Sequence, residues 1–325
     1  QGRGDGLNAE VMLALDAPGL PVSEACMRMT DTLVGGMPRV VVGVTQADAR
    51  LLAVRSVWES SPEVAVHLQR LASPVPGAGA AFDGLLALGV GLNLPQLRNV
   101  IEDLLREVMT AGRGCNWVHE ETLEAVIPQL NLALGPMTAG IRGFNLLVDD
   151  LVIDQDTLQA TEVRGGLLAA VDDPRGVFAL GALFNPALAS LQVPTDGTLV
   201  ELPRDLGLQQ STPPMHVAIK DKALLLLAGA ESARLATTLL QSVPLTPAPL
   251  LAIDYAVAEL ADRLGGLMEQ AATRLSDHGE VEAALGVLDQ LEDLRQQAAL
   301  FERLRLSLYA SDQGLVIDQV MKLRD

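Results

Sequence analysis

A zinc-protease helix needs two histidines one turn apart, so that both imidazoles meet one ion beside a glutamate base. The four histidines of this chain, His67, His119, His216 and His278, stand far apart, and His119-Glu120-Glu121 lacks the second histidine. Neither the G-x-S-x-G turn that lifts a nucleophilic serine nor the G-x-x-x-x-G-K-[ST] loop that cradles phosphates occurs. Gly77-Ala-Gly79 and Gly89-Val-Gly91 lack the strand, loop and helix order of a dinucleotide site and read as tight packing points.

Carboxylates offer more material. Asp149, Asp150, Asp154 and Asp156 could share a hard cation, but their spacing does not fit an EF-hand loop, and the expected role is a solvated acidic strand edge that resists sheet-to-sheet association. Asp16 and Asp172 each precede a proline turn, where an aspartate ordinarily satisfies local backbone amides. A paired catalytic role for them is therefore not assigned. Arg3-Gly4-Asp5 spells an integrin-type tripeptide, too short a match to carry function. Trp58 and Trp117 read as partly buried anchors or a contact surface. Cys26 and Cys115, the chain's two cysteines, form either one disulfide or two buried thiols. No catalytic, cofactor-binding or metal-binding residue is assigned, no cofactor is expected, and the chain is read as not an enzyme. An enzyme whose site converges only in three dimensions stays open as an alternative.

The elements that carry these residues recur in order at offsets of roughly 155 to 175 residues. Met12 to Pro18 is echoed by Leu168 to Pro174, each an apolar strand, an aspartate and a proline. The hairpin and helix within Pro38 to Ser73 reappear within Pro214 to Ser242. Leu85 to Leu88 and Leu250 to Ile253 each precede a long amphipathic helix, and Asn93 is expected to cap the first. A helix and a strand pair close each copy: Glu121 to Leu130 then Phe144, Leu146 and Val148, and Glu280 to Leu300 then Leu304, Leu306 and Leu308. The Asp312-Gln-Gly314 turn leads into a last strand. The expected fold is therefore α+β: two tandem similar units, residues 1–160 and 161–325, each of antiparallel strands and hairpins covered by amphipathic helices. An insertion at about residues 191–212 reads as a surface loop or short hairpin and a candidate lid or contact loop.

Composition narrows the partners. With 23 Lys and Arg against 41 Asp and Glu, a net charge of -18 repels a phosphate backbone, so nucleic acid is excluded, as is electrostatic docking on anionic lipid headgroups. Aromatic residues are 3% of the chain while hydrophobic residues are 49%, which leaves little for stacking on sugars or bases and much for an aliphatic interior. Apolar runs are too short for a transmembrane helix, and no transmembrane segment is expected. Gln1 and the glycine-rich lead after it fit a chain trimmed of a signal or anchor, which sets the expectation of an extracytoplasmic, periplasmic location. The expected function is a binding protein holding a lipid or other apolar small molecule between two similar lobes. The alternative is a protein-interaction or scaffold component of a bacterial cell envelope.

Overall fold

The computed structural model describes residues 23–111, 113, 115, 126–130, 134–135, 138, 140–154, 159–203, 213–229 and 231–324. Segments in which apolar residues recur every second position form strands, and those with three- and four-residue recurrence form helices. Helix α1 (Glu24–Gly36) comes before the hairpin of β1 (Arg39–Ala47) and β2 (Leu51–Glu59), then helix α2 (Pro62–Leu71) and strand β3 (Leu86–Gly91). A long helix α3 (Leu94–Ala111) and the hairpin of β4 (Ile141–Asp154) and β5 (Gln159–Val171) come next. The remainder runs through α4 (Pro174–Phe184), β6 (Val200–Glu201), the hairpin of β7 (Met215–Lys220) and β8 (Ala223–Ala228), α5 (Ser232–Gln241) and β9 (Pro249–Ala256). It ends with α6 (Val257–Asp277), α7 (Val281–Leu300) and the hairpin of β10 (Phe301–Ser311) and β11 (Gly314–Leu323).

Local chemistry explains several boundaries. Ser61 accepts from the Val64 N–H while Pro62 occupies the first turn of α2. Asn93 Oδ1 accepts from the Gln96 N–H at 3.3 Å, capping α3. At α4 the capping residue is Asp173, which accepts from the Gly176 N–H, so Asp172, one residue earlier, is released for ion pairing. Gly314, at φ +127°, closes the last hairpin in a conformation that L side chains rarely adopt.

The described strands form one antiparallel sheet in the order β1-β2-β11-β10-β9-β3-β4-β5-β8-β7-β6. The expected α+β class is what the structure has. Outward from the central pair β9 and β3, a hairpin lies on each side, β10–β11 and β4–β5, followed by a second hairpin, β2–β1 and β8–β7. Residue 160 falls within β5, which pairs with β4 on one side and β8 on the other. The segment at 191–212 extends the sheet: Gly197 N–H donates to Ile219 O, β6 pairs with β7, and Leu202 is buried. Residues 204–212 of it lie outside the described residues.

One face of β3, β4, β5, β8 and β7 forms the main core. Ala87, Leu147, Leu168, Leu225 and Leu227 pack there against Leu235 and Leu239 of α5 and against Val75 and Ala78 of the loop before β3. That loop is seated by small residues: a Cβ on Gly89 would lie 2.7 Å from the Ala78 Cβ, so only glycine admits the approach. Both glycine-rich spots of the sequence are thus packing points that meet each other. A disulfide joins Cys26, in the first turn of α1, to Cys115 beyond the end of α3. No helix among the described residues is long and apolar enough to cross a membrane.

Candidate functional site

Strand side chains alternate between faces, so the register of the four central strands fixes which residues share a surface. On the face opposite the main core, Leu86, Leu88 and Val90 of β3 stand beside Val148, Leu146 and Phe144 of β4. On the other flank they stand beside Tyr255, Ile253 and Leu251 of β9, which in turn face Leu304, Leu306 and Leu308 of β10. The result is a grid of twelve large apolar side chains, three deep and four strands wide. Every one of them is partly accessible, whereas Ala87, Leu147, Ala252 and Asp254, on the other face of β3, β4 and β9, are buried. The middle of a broad sheet is where burial should be deepest, yet here twelve large apolar side chains are only partly buried.

Helices border this surface. Helix α6 leaves directly from β9 and touches β4, β9 and β10, crossing the strands of the grid. Tyr255 and Leu304 pack against Val257 and Ala261 of α6 and Ala298 of α7, which closes one corner. At the other end Leu308 packs in a cluster with Leu71 of α2 and Leu97 and Val100 of α3. Along α6 the apolar stripe of Leu260, Leu264, Leu267 and Met268 is itself only partly buried. An Arg263–Asp150 ion pair at 2.9 Å ties α6 to β4, and Arg295–Glu269 at 2.5 Å ties α7 to α6. Burial pushes the Tyr255 hydroxyl above its ordinary pKa, so this polar group at the grid's corner stays neutral.

Behind the grid, Asp254 holds the covering loop. Its carboxylate accepts from Arg303 Nε at 2.5 Å, from Arg305 at 2.8 Å and from the Phe82 N–H at 3.4 Å, and Arg303 also donates to Gly84 O. Sequence reasoning did not single out Asp254, Arg303 or Arg305. It identified most of the grid strands but not their accessible face. The available signal was an alternation of size: in β3 and β9 the grid residues are Leu, Val, Ile and Tyr, and the intervening ones are Ala, Gly and Asp.

The residues chosen from the sequence for possible chemistry do not converge. His67 lies on α2, His216 on β7 and His278 just after α6. Among the described residues no group of three His, Cys, Asp or Glu is placed to hold a metal ion. Asp149 and Asp150 are not a solvated edge, since β4 lies inside the sheet. Asp149 pairs with Arg234 at 2.8 Å, and Asp150 pairs with Arg164 at 2.8 Å as well as with Arg263. Asp172 pairs with Arg142 and Lys222 rather than with local amides. Trp58 is 42% exposed on β2. Asp16, Trp117, His119, Asp156, the Arg3-Gly4-Asp5 tripeptide and the Met12 to Pro18 strand lie outside the described residues, as does the side chain of Asp154. Comparison with known proteins finds no matching family, no matching curated protein and no matching solved structure.

Proposed function

We propose that this chain is a non-enzymatic, extracytoplasmic binding protein that holds a lipid or another elongated apolar molecule against the grid, beneath α6. The observation that carries this reading is the accessibility of twelve apolar side chains at the centre of the sheet. Aliphatic grid residues and Met268 suit a flexible acyl chain, because none imposes a fixed planar shape. The compartment is supported by the Cys26–Cys115 bond, which persists where the surroundings are oxidising. The periplasm is the specific location proposed.

We also infer that the chain is an internal duplication and that the ligand lies where its halves meet. The strand order supports this, since it reads alike outward from β9 and β3, and the grid takes β3 and β4 from one half and β9 and β10 from the other. Native mass spectrometry of gently purified protein, followed by organic extraction, tests the binding reading. A stoichiometric apolar molecule is expected, and the stripped protein should take up a fluorescent fatty acid. Leu88→Asp should abolish uptake while Leu88→Met retains it, with circular dichroism checking the fold. An empty protein of sequence mass that takes up no fatty acid would overturn the reading.

A second reading, an interaction component of a bacterial envelope, is favoured by β1. Its Val40, Val41, Val42 and Val44 are 44–64% exposed, and its outer edge faces no described strand. Val42→Lys should then remove association with a partner and leave fatty-acid uptake unchanged. Loss of uptake in that variant would count against a separate interaction surface.

A further inference from the structure

On the face opposite the grid, the ends of β5 and α5, the β7–β8 turn and the loop at 73–76 enclose a pocket of about 360 Å³. Its floor is apolar: Pro76, Leu240 and Pro244 are partly accessible there, and Leu168, Ala170 and Leu239 are buried. Its rim is different in kind. The chain has three lysines, Lys220, Lys222 and Lys322, and two of them stand at this mouth with Arg142. In a protein of net charge -18 that concentration of cations is local and opposed to the overall field.

The rim is also held in place. Lys220 pairs across the hairpin with Ala223, and Asp221, at φ +50°, makes the tight turn between the two lysines. The Lys222 carbonyl accepts from the Val171 N–H at 2.8 Å, seating the turn on the end of β5. Asp172 accepts from Lys222 Nζ at 3.1 Å and from Arg142, whose other nitrogen donates to Asn93 Oδ1 at 3.2 Å. Those two partners hold the Asp172 carboxyl below the usual carboxylate range. It therefore stays ionised near neutral pH and keeps two cations side by side. With Asp221 as the second carboxylate, three cations face two anions across the mouth.

We propose that this pocket is a second binding site, separate from the grid, for a small amphipathic carboxylate: its head rests among Lys220, Lys222 and Arg142 and its apolar body on Pro76, Leu240 and Pro244. A volume near the lower end for ligand pockets leaves room for one short chain and not for the paired chains of a membrane lipid. Charge-assisted hydrogen bonds at the rim supply the preference for an anion, and the floor supplies the preference for an apolar body.

Titration calorimetry of the full chain with decanoate, decanol and acetate tests this. In the Leu88→Asp chain, whose grid site is removed, decanoate should bind at one site, and decanol and acetate at least about tenfold more weakly, since each lacks one half of the recognition. In that background the Lys220→Gln/Lys222→Gln pair, on the rim and clear of the core, should weaken decanoate by about tenfold and leave decanol unchanged. Leu88→Asp, on the other face, should leave decanoate binding at this pocket intact, so failure of the grid reading and failure of this one are separable. Decanoate binding to Leu88→Asp that survives addition of the double lysine change, or the absence of any decanoate binding to Leu88→Asp, would overturn the proposal. So would equal affinity for decanol.

Discussion

Asp254 is 3% exposed and answers to partners from two remote segments: Arg303 and Arg305 on β10 and the Phe82 backbone on the loop before β3. Removing one member of a buried charge cluster leaves the rest uncompensated, which costs about 3–5 kcal/mol. Because Arg305 is partly exposed, the lower end applies. Asp254→Ala is expected to lose about 3 kcal/mol in urea unfolding, with Asp254→Asn losing less. A loss below about 1 kcal/mol, the scale of a surface ion pair, would show that the cluster does not anchor the loop. Asp318 adds a dependence on pH. Two hydrogen bonds from Arg55 hold its carboxyl below the ordinary value, with help from the Tyr309 hydroxyl and against the effect of burial. A depressed folded-state pKa contributes stability above the unfolded value of about 3.9, lost as pH falls through the folded value. The stability gap between the parent and Asp318→Asn should therefore be widest near pH 7 and close below about pH 4. A constant gap across that range would mean the carboxylate's charge is not its contribution. Neither cluster was legible in the sequence, although Arg303 and Arg305 alternate visibly with Leu304 and Leu306. Their meeting with Asp254 depends on the β9–β10 register, which joins residues about 50 positions apart.

Hairpins and helices were legible where their signals are local. The turns at Asp221 and at Asp312-Gln313-Gly314, the Asn93 cap and the long helices after β3 and β9 all rest on chemistry within a few residues. What failed was the inference from a strand's composition to its place in the sheet: the acidic run of β4 suggested an edge, yet Arg164, Arg234 and Arg263 arrive from three other elements to neutralise it. The Cys26–Cys115 bond also belongs to this scale, because α1 and α3 touch each other and the bond spans 89 residues. Closing a loop of that size contributes roughly 4–5 kcal/mol in the chain-entropy treatment. Cys26→Ser/Cys115→Ser should lower the melting temperature measured in oxidising buffer, and reductant should lower that of the parent but not of the variant. Identical melting of parent and variant would place the bond outside the structure that unfolds cooperatively.

At the scale of the whole molecule, strand pairing joins the two ends of the chain and runs across its middle. The β1–β2 hairpin, early in the chain, pairs with β11 at its end, and the outer hairpin β7–β8 pairs with β5. A division near residue 160 would separate β4 from most of β5 and leave β2 without β11, so each half would lose strand pairs in the middle of a core. No composition or period could reveal this, because the same elements are expected whether the two halves of the chain fold apart or interlock. The two arrangements differ in cooperativity. Interlocked halves share hydrogen-bond ladders and the Asp254 cluster, which joins the loop before β3 to β9 and β10. They should unfold in one calorimetric transition whose van't Hoff and calorimetric enthalpies agree. Independently folding lobes would give two transitions, and Asp254→Ala would then shift only one of them. A single transition that moves as a whole in Asp254→Ala is the expected result, and it would also explain how the grid is kept: with β3 and β9 at the centre of one ladder, neither half can form it alone.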